Sequence, residues 1–273
     1  VEAKQRAALP EFRFDGQVVV ATSAKQVSAV CEALRRSVGD QARDGQQAGA
    51  IGFDVEYATL EKDLRMLPAL LSLAAPSYIG LIWLDKLPEH GRLALQHSAP
   101  LAALLAEPSI LKVGVGSRPD MSQVLEWCKG APADDDGLCR DRAASSLGSV
   151  VDLKAPAERA AHIDRALRRL RANGGDAPAD ATGDRLQEAA GDGDRPQRLK
   201  DWCAHVLRRR LPKVKARRGA EKVSHWRAKK LSPQMKLYAA NDAAAGLAVW
   251  CALVDAAHNA DRCELSRPAS RED

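Results

Sequence analysis

The six cysteines, Cys31, Cys128, Cys139, Cys203, Cys251 and Cys263, include no C-x-x-C pair, and none stands beside a histidine at the spacing of a zinc ligand set. They read as reduced thiols of a cytosolic or nuclear protein. The six histidines are equally scattered, with no H-x-x-x-H and no H-E-x-x-H, which argues against a zinc enzyme. Long apolar runs are missing too. "VVVA" (18–21) and "IGLIWL" (79–84) are too short to cross a bilayer, and "VEAKQRAALPEF" lacks the apolar stretch of a signal peptide, so an intracellular chain without a membrane partner is expected. There is no internal repeat. The first residue is not Met, so the chain reads as a piece of a longer polypeptide that could carry targeting or further domains.

With 273 residues, 45% hydrophobic and 28% charged, the chain can bury one substantial core or at most two modest ones. The net charge of +5 is unevenly spread. Residues 208–230, "RRRLPKVKARRGAEKVSHWRAKK", contain Glu221 as their only acid, whereas 134–136 is "DDD" and 173–196 leans acidic. A cationic stretch of that density is either a solvated surface or a binding face for a polyanion, where each Lys or Arg near a phosphate releases counterions.

Hydrophobic spacing gives the order of elements. Residues 17–39 read as a strand followed by a helix with Val27, Val30 and Leu34 on one face. Three strands are expected at 50–57, 67–74 and 78–84, joined so as to form an antiparallel meander. Then come a helix at 99–106, a buried strand at 110–117, a helix at 119–130, a short strand in "SVVDLKAP", a basic amphipathic helix at 157–172, and helices near 197–210 and 232–258. Together they predict an α/β mixed sheet with helices packed on its faces. Residues 131–146 and 173–196, rich in Ala, Gly, Asp and Pro, are expected to be mobile insertions into a single domain spanning 12–258, with flexible termini at 1–11 and 259–273.

Within the first meander strand, "AIGFDVEYATL" (50–60) places Asp54 and Glu56 two residues apart on one face, about 7 Å apart along the chain. Ala50, Ile51, Phe53 and Val55 make the surroundings apolar, where paired carboxylates are costly without a compensating positive charge. Far downstream, "LSPQMKLYAANDAAAGLAVW" (231–250) has Ser232 as a cap and Pro233 in the first turn. Gln234, Tyr238 and Asp242 then follow at i, i+4 and i+8 on neighbouring parts of one helix face. Asp120 follows "KVGVG", where Gly114 and Gly116 allow a close approach of backbone or ligand. Each has a plain alternative: an isolated D-x-E is common, Asp120 can form a capping box with Ser117, Tyr238 can be a core aromatic, and Asp242 a solvated helix residue. Lys112 reads as an aliphatic stem with its ammonium at the surface.

Taken in order, "IGFDVEY", "LKVGVGSRPD" and "LSPQMKLYAANDA" resemble the three motifs of the DEDD superfamily of 3′-5′ exonucleases, in the branch with Tyr in the last motif (DEDDy). The likeness is greatest to the Werner-syndrome-type exonuclease domain and more distant to RNase D, and runs from about Gln17 to Leu253. It implies an RNase H-like fold, with Asp54, Glu56, Asp120 and Asp242 as metal-site carboxylates and Tyr238 orienting the attacking water. Two divalent cations, Mg²⁺ or Mn²⁺, would offset the clustered charge, lying about 3.5 to 4 Å apart in such sites. The substrate implied is a nucleic acid with a free 3′ end, DNA by the Werner-type likeness and RNA by the RNase D one, shortened to nucleoside 5′-monophosphates. Val55, Tyr57, Arg217, Arg218, Lys229 and Lys230 are the candidate substrate contacts, and Trp226 is a candidate to stack on a base or to serve the core. Val55 and Tyr57 stand where the Werner-type motif tends to have Met and Trp, Ser122 replaces an aromatic, and Arg208 stands where relatives often have Gly. The resemblance gives Asp152 a structural role at a strand end. A catalytically silent nucleic-acid-binding scaffold is the rival expectation, opposed by the intact carboxylates.

Overall fold

The β-branched run after Gly16 forms β1 (Gln17–Ala21), and the chain turns through Thr22 and Ser23 into α1 (Ala24–Arg43). The Gln26 side chain closes that turn by accepting the Thr22 amide at 2.9 Å, while the Ser23 hydroxyl accepts the Gln26 amide at 3.4 Å. A computed structural model describes residues 7–43, 49–59, 66–87, 99–128, 149–154, 198–212 and 225–265. The expected insertions at 131–146 and 173–196, the expected helix at 157–172, Arg217, Arg218 and Lys222 lie outside them.

Strands β2 (Ala50–Thr59), β3 (Met66–Ala75) and β4 (Tyr78–Ile82) form the expected antiparallel meander. After α2 (Ala99–Ala106) come β5 (Leu111–Gly114), α3 (Ser117–Cys128) and β6 (Val150–Asp152). The sheet order is β1-β4-β3-β2-β5-β6, with β1 parallel to β4 and with β5 and β6 extending the sheet parallel to β2. This is the mixed α/β sheet the hydrophobic pattern predicts. The buried strand expected at 110–117 is shorter, because Gly116 adopts φ +77°, a conformation that L side chains rarely reach, and turns the chain directly into α3.

Each face of the sheet has its own cover. Ile51, Phe53, Val55, Leu71 and Leu73 pack under Val27, Val30 and Leu34 of α1, Leu104 of α2 and Met121 of α3. The opposite face, including Ala50, Val113, Leu70 and Leu81, is crossed by α5 (Pro233–Leu265) through a run of small and apolar residues that includes Ala240, Ala243, Ala245 and Trp250. Burying such side chains is worth roughly 1.5–3 kcal/mol for each large one, which makes the face assignment decisive. The Ser232 hydroxyl accepts the Met235 amide at 3.2 Å and caps α5, as its position predicts, and the helix runs past the expected boundary at 258 to Leu265. Pro233–Asp255 is apolar and long enough to cross a membrane by composition, but 61% of its most apolar window is buried inside the protein.

The helix expected at 197–210 is only α4 (Leu199–Trp202) followed by a π-helical turn over Cys203–Leu207. Arg208 ends it in the left-handed region at φ 52°. Beyond it, the Arg210 amide donates to Pro10 at 2.8 Å and the Phe12 amide to the Arg210 carbonyl at 2.8 Å, while Arg210 pairs with Glu11 at 3.2 Å. Pro10 and Glu11, expected to belong to a flexible terminus, are therefore pinned to the chain after Arg208.

Candidate metal centre

Strand alternation decides what β2 presents. Ile51, Phe53 and Val55 point into the core beneath α1 and α3, so Asp54 and Glu56 emerge on the face crossed by α5. Gly52, on that same face, is where α5 comes closest: an added Cβ would collide with the Ala243 carbonyl. Asp242 precedes Ala243, and the small buried side chains of Ala239, Ala240 and Ala243 let the helix lie low enough to bring its carboxylate to the strand. The result is that Asp54, Glu56 and Asp242 each offer an oxygen within 4.8 Å of the others.

Asp120 joins from the first turn of α3. Its Oδ1 accepts a hydrogen bond of 2.6 Å from the Tyr57 hydroxyl, and its charge reaches both Asp54 and Glu56. The capping box with Ser117 is not formed. The Ser117 hydroxyl donates to the Val151 carbonyl at 3.1 Å instead, which ties the start of α3 to β6 and leaves the Asp120 carboxylate to Tyr57. Asp152 has the structural role expected at its strand end, its Oδ1 accepting the Gly116 amide at 2.8 Å and the Lys154 amide at 3.0 Å. It thereby fixes the turn that aims Asp120.

The electrostatics are those of crowded, half-buried acids. Burial, reinforced by Glu56, Asp242 and Asp120, pushes the Asp54 carboxyl well above the usual carboxylate range. Burial, then Asp242 and Asp120, raises Glu56 to about 8 against the pull of a hydrogen bond from the Trp226 side chain. Burial likewise raises Asp242 to about 7 and Asp120 to about 6, opposed by the hydroxyls of Tyr238 and Tyr57 respectively. Buried Oδ2 of Asp54 and buried Oδ1 of Asp242 have no hydrogen-bond donor. Two orphaned acceptors inside a cluster of oxygen donors are what a divalent cation satisfies, so the residues fit such an ion.

Tyr238 lies one helical turn before Asp242, and its hydroxyl donates to that carboxylate. Its phenol is held protonated by burial and then by the charges of Asp242 and Glu56. Trp226, expected either to stack on a base or to serve the core, packs against the core beside Tyr238. Its ring centroid lies 6.4 Å from that of Tyr238, and its carbonyl accepts the Trp83 indole N–H at 2.9 Å. Arg227 pairs with Asp85 at 3.1 Å, which docks this turn onto the end of β4.

The remaining expected contacts divide. Lys229 and Lys230 are exposed just before α5, and Arg217 and Arg218 lie outside the described residues. The Val55 side chain is 6% exposed and turned into the core, so only its backbone faces the carboxylate side. Lys112 corrects its expectation: it is fully buried, its Nζ donating to the Glu107 carbonyl at 2.7 Å and the Ser149 hydroxyl at 2.8 Å, and burial lowers it to about 7.

No family model matches the sequence, and the search of curated proteins gives no match. Solved structures do match. The EXO domain of Nibbler from Aedes aegypti superposes with a TM-score of 0.54 at 15% identity, over 91% of this chain and 93% of that one. The catalytic core of RRP6 from Trypanosoma brucei superposes with a TM-score of 0.51 at 13% identity, over 96% of this chain and 54% of that one, so this chain spans about half of its length. At such identities the likeness is one of architecture, and it agrees with the strand order and helix placement described above. The fold of this chain is that of the RNase H-like exonuclease domains.

Proposed function

We propose that the chain is a metal-dependent 3′-5′ exonuclease, hydrolysing the terminal phosphodiester of a nucleic acid, DNA by preference, and releasing nucleoside 5′-monophosphates. The observation that carries this reading is the meeting of Asp54, Glu56 and Asp242 within 4.8 Å, with Asp120 alongside, although they come from three distant stretches of chain. Their oxygen-only donor set suits two Mg²⁺ or Mn²⁺ ions. Bound there, the ions would supply Lewis acidity to the attacking water and to the departing 3′-oxygen.

The chain's own groups do the rest. Water adds to phosphorus, the P–O3′ bond breaks, and the shortened strand keeps its 3′-hydroxyl. Tyr238 orients the attacking water through its hydroxyl, acting as a neutral hydrogen-bonding group because its surroundings hold the phenolic proton. Trp226 braces both Tyr238 and Glu56 from one side. Lys229 and Lys230, with Arg217 and Arg218 further back in the same basic stretch, contact the phosphate backbone, which positions a strand without reading its sequence. The preference for DNA rests on the Werner-type likeness of the motifs, and RNA 3′-end trimming is the outcome that would redirect it.

A 5′-labelled oligonucleotide incubated with Mg²⁺ or Mn²⁺ tests the reading. A ladder shortening from the 3′ end, abolished by chelator, is expected, and matched DNA and RNA strands in the same buffer decide the substrate. Tight binding without shortening would favour a silent scaffold.

A further inference from the structure

A hydrogen bond to one of the clustered acids singles out Tyr57. The pairing of β2 with β3 slips between Glu56 and Tyr57, so that Glu56 faces Leu70 while Tyr57 faces Pro68. The extra residue, Ala69, lies on β3, so β2 keeps its alternation and Tyr57 stays on the face of Phe53 and Val55. Tyr57 then packs its ring against the core cluster that contains Phe53, Val55 and Met121, while its hydroxyl reaches Asp120 in the first turn of α3 at 2.6 Å. The ring is held by packing and the hydroxyl by a short hydrogen bond, so one oxygen of Asp120 is committed and the direction of the other is set. Asp120 is also the acid that stands apart: Asp54, Glu56 and Asp242 form a three-ligand cluster without it, although Asp54 and Glu56 both feel its charge.

We propose that Tyr57 is a positioning residue whose hydroxyl aims Asp120 at the Asp54 side of the cluster, completing a second cation position beside the one formed by Asp54, Glu56 and Asp242. The inference rests on the nuclease reading above and assigns Tyr57 a task other than contact with the nucleic acid. A hydrogen bond behind a ligating carboxylate fixes its orientation, and losing such a bond typically weakens metal affinity by about 10- to 100-fold. The effect would fall on one cation position and spare the other, because among the described residues the three-acid cluster is complete without Asp120.

The experiment compares wild type with Tyr57→Phe, which keeps the ring and deletes the hydroxyl. Mn²⁺ is titrated into metal-free protein by calorimetry, and initial rates on a single-stranded oligonucleotide are measured over a range of Mn²⁺ concentrations. The wild type should bind Mn²⁺ in two classes. Tyr57→Phe should keep the tighter class, weaken the other by about 10- to 100-fold, and recover its rate at high Mn²⁺ with KM for the oligonucleotide unchanged. Weakening of both classes together, or a rate that Mn²⁺ does not restore, would assign Tyr57 a merely structural role and overturn the proposal. So would an isotherm identical to wild type. A wild-type protein that neither binds Mn²⁺ nor shortens the oligonucleotide overturns the nuclease reading and this inference with it, whereas a wild type that does both beside an indistinguishable variant overturns only the role of Tyr57.

Discussion

Asp54 holds an uncomfortable charge: one of its oxygens is buried without a donor, and three further acids press on it. Removing that charge should therefore help the metal-free fold while destroying the chemistry. Asp54→Asn is expected to raise the Tm in chelator, by about 1 to 2 kcal/mol of stability, and to lower cleavage by at least about 10²-fold. A variant that melts no higher and still cleaves at the wild-type rate would remove Asp54 from the site. Tyr238→Phe deletes one hydroxyl only. It should bind an oligonucleotide as tightly as wild type and lose about 10²-fold in rate, as read by single-turnover kinetics. The D-x-E spacing and the i, i+4 relation of Tyr238 to Asp242 were legible because they are local periodicities. The hydrogen bond from Tyr57 to Asp120 was not, since it joins residues 63 positions apart, from a strand to a helix that no local periodicity relates.

Between elements, the decisive contact is α5 on β2. Gly52 and the alanines of α5 set how near Asp242 comes to Asp54, and a methyl at Gly52 has the Ala243 carbonyl in its way. Gly52→Ala should push the helix outward, cost about 1–3 kcal/mol, and reduce activity more than a surface substitution of equal stability effect. Wild-type activity and Tm together would mean that the helix has room to spare. Arg208 ends its π-helical turn at φ 52°, where a side chain is strained and glycine is not. Arg208→Gly is expected to stabilise by about 0.5 to 1 kcal/mol, measurable by denaturant titration. The helical run at 197–210 was overestimated because apolar spacing reports burial and is blind to a switch into π geometry. The strand at 110–117 was overestimated for a similar reason, as Val115 continues the apolar run past the point where Gly116 turns it.

For the whole molecule, the clustered acids couple stability to pH and to divalent ions. Glu56, Asp242 and Asp120 titrate near 8, 7 and 6 in the folded protein, all above the range near 4 of an unfolded chain. A raised carboxyl contributes stability that is full below the unfolded value and is lost as the pH climbs through the folded one. In chelator the Tm should fall between pH 5 and about 8.5, and saturating Mn²⁺ should remove most of that slope, because the ion binds the folded, ionised cluster. A flat profile in chelator would show that the acids are better compensated than their burial implies. The mixed sheet was legible from the order of the motifs and from strand alternation. The burial of Lys112 was not, because its acceptor Ser149 lies 37 positions away, beyond a long polar excursion.

That lysine has a consequence for the last strand of the sheet. α3 leaves the Asp120 end of the sheet and ends at Cys128, and the chain re-enters at Ser149, which pairs with Lys112 where β5 begins. Lys112 thus clamps the start of β6 to β5, two residues before Gly114. Strand β6 is thereby docked in one register, and with it Asp152, whose carboxylate holds the Gly116 turn in front of Asp120.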